Sequence, residues 1–170
     1  MASGTQRPRR HVSRDPVRSH DVELNAPLAP DTDAAMVLGM AATAMPFAPS
    51  VDAEAERWLR ILRLYGDAGT ALQGLGVSEA PLETVSRDGE GTRPDASRLD
   101  GRGVVAEVTE HAIRAAGRRG AHTIGTSDVF VAVVQVYGAE FDRVLWAHGT
   151  DSDEVLERLG VTTPGNAPGD

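Results

Sequence analysis

The sequence contains no cysteine and no lysine. The first absence excludes disulfides and thiolate metal ligands. The second excludes a Walker A phosphate loop, which needs a lysine to reach the nucleotide phosphates. All seventeen basic residues are arginine, a bias that reads as GC-rich coding. Aromatic residues make up 4% of the chain against 41% hydrophobic residues, so any core must be aliphatic. No long hydrophobic run is present either. The best, Ala34 to Met45, is about twelve residues, too short to span a bilayer. The arginine-bearing N-terminus has no following apolar stretch before Asp21, so no signal peptide is read. The expectation is a cytoplasmic protein with no membrane partner.

The 170 residues suffice for one ordinary domain or two small ones. The net charge of −8 is unevenly spread. Residues 1–20 carry five arginines and one acid, a balance of +4, while the rest carry twelve arginines and 24 acids, a balance of −12. An acidic body argues against nonspecific nucleic-acid binding, which depends on neutralising phosphates. The basic arm (Arg7, Arg9, Arg10, Arg14, Arg18) lacks interleaved aromatics for base stacking. Nucleic acid is therefore not an expected partner, although a regulator acting through this arm is one alternative.

What is present is a repetition. Trp58-Leu59-Arg60-Ile61-Leu62-Arg63-Leu64-Tyr65-Gly66 is echoed by Phe130-Val131-Ala132-Val133-Val134-Gln135-Val136-Tyr137-Gly138. The echo continues through Leu72 and Gly76 against Leu145 and Gly149, with a one-residue shift. A duplicated unit of roughly 70 residues is implied, whose copies must pack on each other to bury their apolar faces.

Periodicity and punctuation then divide the chain. Residues 1–29 read as a disordered basic arm and 163–170 as a disordered tail. The body, 30–162, comprises a first repeat (30–86), a linker (87–98) and a second repeat (99–162). A helix starts near Asp31, with Asp31 or Asp33 as cap, and stops before Pro46 and Pro49. A second runs from about Asp52 to Tyr65 on the stripe Trp58, Ile61, Leu62, Tyr65. A short helix through Leu72 to Leu75 is closed by Gly76, and another follows Ser78 with Leu82 and Val85 inward. In the second repeat, helices are expected over 101–119, 127–137 and 139–148. The last begins with Asp151 and Glu154 in a capping-box arrangement and ends at Gly160. Val129 to Val134 reads locally as a buried strand, but its counterpart in the first repeat is helical, so the repeat assigns a helix. The fold expected is all-α: two pseudo-symmetric four-helix repeats packed into one bundle.

No catalytic set is legible, and no enzyme or cofactor is expected. The five histidines (11, 20, 111, 122 and 148) have no metal-ligand spacing. Ser127, His122 and Asp128 form a triad on paper only, without a nucleophile elbow. Thr126 and Ser127 are read as caps of the following helix. Glu54 and Glu56 sit near a helix start, where carboxylates offset the dipole. Trp58, Tyr65, Phe130, Tyr137 and Trp146 are read as core. Any of them exposed between the repeats would be a natural anchor for a peptide or a small hydrophobic ligand.

Arg118-Arg119-Gly120-Ala121-His122-Thr123-Ile124-Gly125-Thr126-Ser127-Asp128-Val129 resembles the loop of the repeat in the Clp ATPase amino-terminal domain, which runs close to Gly-His-x-x-Ile-Gly-Thr-Glu-His. Arg143-Val144-Leu145 and His148-Gly149-Thr150 follow in register. Val51-Asp52-Ala53-Glu54 and Gly74-Leu75-Gly76-Val77 match more loosely in the first repeat. The resemblance covers residues 31–160 and reaches no ATPase region. It implies a stand-alone binding module for Clp unfoldase substrates, adaptors or peptides, regulating Clp-dependent proteolysis. Some members of that family hold phosphoarginine with the Glu of each Gly-Thr-Glu motif. Here Ser127 stands in place of the second Glu with Asp128 beside it, and Glu54 or Glu56 takes the first place. The binding residues expected are thus Glu54, Glu56, Trp58, Thr126, Ser127, Asp128 and Phe130, with no metal. The alternative is a degenerate repeat serving as a dimerisation module.

Overall fold

Asp31 opens the first helix through its own side chain: Oδ1 accepts the Ala34 N–H at 2.8 Å. The computed structural model describes residues 28–77 and 101–161. Their order is β1 (Ala29–Pro30), α1 (Thr32–Ala44), a 3-10 turn (Met45–Phe47), α2 (Val51–Leu62), α3 (Gly66–Gly74), α4 (Gly101–Arg118), β2 (Thr123–Ile124), α5 (Thr126–Tyr137), α6 (Ala139–Ala147) and α7 (Ser152–Arg158). The described protein is helical, as expected, apart from the two-residue strands. The expected helix after Ser78, the linker 87–98, the tail 163–170 and all but the end of the basic arm lie outside the described residues. That end belongs to the fold: Leu28 packs on the core and Ala29 pairs in β1.

Two further helices start on local caps. Ser50 Oγ accepts the Ala53 N–H at 3.2 Å for α2, and Asp151 Oδ1 accepts the Glu154 N–H at 2.8 Å for α7. Each such cap contributes about 1 kcal/mol. The capping box at α7 is half formed, because the Glu154 carboxylate instead receives the Thr150 hydroxyl at 2.8 Å. Helix α1 ends at Ala44 and tightens into the 3-10 turn around Pro46, whose missing N–H cannot continue the ladder. The Arg57 guanidinium crosses from α2 to donate to the carbonyls of Ala44 and Phe47. A cation there also opposes the negative end of the α1 dipole.

The expected helix 52–65 ends earlier, at Leu62, and α3 begins earlier than expected, at Gly66. Tyr65 is extended between them and offers no side-chain cap. The start of α3 was therefore invisible locally; its cap comes from elsewhere in the chain, as described below. The far ends of α3 and α6 close alike. Val77 N–H bonds to Leu72 O at 3.1 Å and Gly76 N–H to Gln73 O at 3.0 Å. Thr150 N–H bonds to Leu145 O at 3.2 Å and Gly149 N–H to Trp146 O at 3.0 Å. These are paired Schellman closures, and φ is +83° at both Gly76 and Gly149, a conformation that glycine adopts without a Cβ clash.

Helix α5 is the centre of the packing and touches α1, α2, α3, α4 and α6. It buries Val129, Phe130, Ala132, Val133 and Tyr137, and its most extensive packing is on α4, which buries the valines and alanines Val104, Val105, Val108, Ala112 and Ala116. Small and β-branched side chains on both faces let the two helices approach closely, which suits a chain poor in aromatics. Phe130 and Phe141 pack edge to face, with ring centroids 5.7 Å apart. Burying each large aliphatic or aromatic side chain here contributes about 1.5–3 kcal/mol. The valine run 129–134 is helical despite its strand propensity because tertiary burial on several sides outweighs it. The strands β1 and β2 pair in parallel, Ala29 with Thr123 and Pro30 with Ile124, and Asp31 N–H adds a bond to Ile124 O at 2.9 Å.

Candidate functional site

The first turn of α5 holds three of the seven candidate residues, Thr126, Ser127 and Asp128. Gly125 is the N-cap and has no side chain to offer. Asp128, three residues on, turns its carboxylate back to accept the Gly125 N–H at 2.9 Å. The same carboxylate is gripped by Arg119, Nε at 3.0 Å and Nη2 at 2.6 Å, in a two-pronged ion pair. Asp128 is 1% exposed, so its charge is held inside by these three donors. The hydrogen bond to Asp128 holds the Arg119 guanidinium even more firmly protonated than usual.

The expected capping of α5 by Thr126 and Ser127 is corrected by this geometry. Thr126 is the first residue inside the helix, past the Gly125 N-cap. Thr126 Oγ1 accepts the Ala68 N–H at 3.2 Å and so caps α3 from outside. The chain approaches closely here: a Cβ on Gly66 would overlap the Thr126 hydroxyl and come within 2.8 Å of Cγ2. Ser127 is half-buried beside it. Asp128 is committed to Arg119 and Gly125, and His122 is exposed, so the triad drawn on paper is not assembled.

The remaining candidates lie along α2. Trp58 is fully buried, and its indole N–H donates to the Tyr137 hydroxyl at 3.1 Å. That hydroxyl donates in turn to Glu54 Oε2 at 3.0 Å. This relay ties the start of α2 to the end of α5. Phe130 is likewise fully buried against Phe141. Trp58 and Phe130 are the core residues that their periodicity implied, and neither presents surface to a ligand, so their inclusion among the binding residues is corrected. Glu56 sits apart from the relay and pairs with Arg60 at 3.1 Å. The structure thus joins Glu54 with Trp58, and Thr126 with the Asp128 loop, but forms no single pocket from all seven.

Trp146 on α6, read from the sequence as core, is instead 68% exposed, and Phe47 on the 3-10 turn is 76% exposed. His148, the C-cap of α6, has its pKa pushed below the ordinary 6.5 by burial, with Arg60 and Arg63 acting in the same direction and Glu56 opposing. His111 Nδ1 bonds to Gln135 Oε1 at 2.8 Å. Among the described residues, no three His, Asp or Glu side chains are placed to hold a metal ion, and no helix is long and apolar enough to cross a membrane.

Between α3 and α7 the surface opens into a cleft of about 260 Å3, lined by Asp67, Thr70, Ala71, Arg158 and Leu159. Its walls come from opposite sides of residues 78–100, α3 from the N-terminal segment and α7 from the C-terminal one. Sequence reasoning missed all five lining residues, because charged side chains at helix ends carry no motif. No family model matches the chain, and none of the curated proteins matches it.

Proposed function

We propose that this chain is a non-enzymatic binding module of the Clp amino-terminal type, built from two pseudo-symmetric repeats and regulating Clp-dependent proteolysis by engaging peptides, adaptors or unfoldase substrates. The observation that carries this reading is a correspondence of elements. Helices α2 and α5 each have 12 residues, and α3 and α6 each have 9. A Tyr-Gly step with positive φ lies at the start of both shorter helices, +62° at Gly66, the first residue of α3, and +52° at Gly138, the N-cap of α6. Glycines with φ of +83° close both. Equal lengths and equal closures are what a duplicated unit would retain, although three residues join α2 to α3 and Gly138 alone joins α5 to α6, and they support the resemblance seen in the loop before α5. The cleft between α3 and α7, formed jointly by the two segments, is the binding surface favoured by this reading.

The test is affinity capture from a lysate of the source organism with the full chain as bait, read by mass spectrometry. Recovery of a Clp unfoldase, its adaptors or its substrates is expected. Recovery of only the chain itself, or of nothing, would remove the protein-partner reading.

A second reading, self-assembly, is favoured by α1. Its outer positions Ala35, Met36, Gly39 and Ala42 are exposed although the helix is apolar on every side. Sedimentation equilibrium decides it: a concentration-independent monomer mass excludes this reading.

A further inference from the structure

The cleft between α3 and α7 has a charge at each end. Asp67, Thr70, Ala71 and Gly74 recur at i, i+3, i+4 and i+7 on α3, so they share the face turned to α7. Asp67 stands in the first turn of α3. Arg158, from the last turn of α7, lies over the last turn of α3: a Cβ on Gly74 would sit 2.7 Å from Arg158 Nη2. Seven residues of helix separate Asp67 from Gly74, a rise of about 10 Å. The floor between them is apolar, with Ala71 below and Leu159 beside it, and the Thr70 hydroxyl is turned to the Gly66 carbonyl. Among the described residues, Asp67 and Arg158 make no ion pair with each other or with another side chain.

Two charges of opposite sign without such an ion pair, set at the two ends of α3 about 10 Å apart along its axis and flanking an apolar floor, match a specific ligand shape. An extended peptide advances about 3.3–3.6 Å per residue, so three residues cover that distance. A carboxylate suits Arg158, whose planar fork can grip both oxygens. An ammonium or guanidinium suits Asp67. The volume, about 260 Å3, lies just below the range that takes drug-sized molecules and fits a segment this short. We propose that this cleft binds a dipolar tripeptide-length segment, its cation on Asp67 and its carboxylate on Arg158. This rests on the peptide-binding reading above and gives that site its ligand chemistry. The charges can come from the termini of a free short peptide or from side chains within a longer one.

The test is a heteronuclear NMR titration of the full chain with three probes: zwitterionic tri-alanine, N-acetyl-Lys-Ala-Asp-amide, and neutral N-acetyl-tri-alanine-amide. Saturable shifts are expected at the amides of residues 67–74 and 155–161, from either charged probe and not from the neutral one. A response to tri-alanine alone identifies free peptide ends as the ligand, and a response to the blocked probe identifies internal side chains. Arg158→Gln and Asp67→Asn should each weaken binding about tenfold, the scale of one lost charge contact. Equal binding of the neutral probe would overturn the dipolar chemistry. Shifts confined to another surface would overturn the cleft while leaving the peptide-binding module standing. No shift from any probe at millimolar concentration would overturn the inference, and the capture experiment decides the broader reading independently.

Discussion

Thr126 Oγ1 lies 3.2 Å from the Ala68 nitrogen, so a residue of α5 caps a helix that begins sixty positions before it. Helix α3 has no side-chain cap of its own. Thr126→Val keeps the shape and removes the acceptor, leaving a buried N–H unpaired. The expected loss is about 1–2 kcal/mol in urea denaturation, with Thr126→Ser close to wild type. Gly66→Ala should cost at least as much, since it forces a Cβ into a positive φ and onto Thr126. The two sites touch, so their costs should not add: Gly66→Ala ought to be milder in a Thr126→Ala background.

Asp128 anchors the loop before α5 through Arg119 and the Gly125 N–H. Asp128→Asn should destabilise by about 1–3 kcal/mol, less than a fully buried pair because the Arg119 side chain is 48% exposed. Arg119→Lys retains the charge and loses the fork, so a smaller loss is expected. Chemical denaturation in low and high salt checks both. Identical stability of all three proteins would show that the pair contributes nothing.

Tyr137 stands between Trp58 and Glu54. Tyr137→Phe leaves the buried Trp58 indole N–H without its acceptor and should cost about 1–3 kcal/mol. In a Trp146→Phe background, where Trp58 is the remaining tryptophan, its fluorescence reports the change directly. An unchanged emission maximum together with unchanged stability would remove the relay from the account.

His148 makes stability depend on pH. Burial lowers its folded pKa below the ordinary 6.5, so the unfolded chain takes up the proton first as the solution is acidified. The contribution is intact above about pH 6.5 and is lost as pH falls through the lower folded value. The denaturation midpoint should therefore fall as the pH drops below about 6.5, and His148→Asn should flatten that fall. A variant with the same slope as wild type would place the dependence elsewhere.

The caps at Asp31 and Asp151 and the glycine stops at Gly76 and Gly160 were legible because each is settled within six residues of chain. The helicity of α5 was legible only through its echo in α2, since valines alone read as strand. The candidate site was less so. Apolar spacing at Trp58 and Phe130 cannot distinguish a ligand platform from a core, and the structure places both inside. The Thr126 cap and the strand pairing join residues whose separation no local pattern encodes. Arg119 and Asp128 are nine apart with a turn between them, beyond helical periodicity. The charges of the α3–α7 cleft were invisible because only packing brings α3 and α7 together.

The pairing of Ala29–Pro30 with Thr123–Ile124 has a consequence for synthesis. The earliest described stretch of chain must wait for a partner made ninety-four residues later, and α3 must wait for Thr126. On a ribosome elongating at about 5–20 residues per second, the N-terminal segment therefore remains incomplete for several seconds after leaving the tunnel. Its apolar stripe on α2, with Trp58 and Leu62, faces the cell during that interval. That segment would thus begin life as an apolar strip still waiting for the rest of its own core.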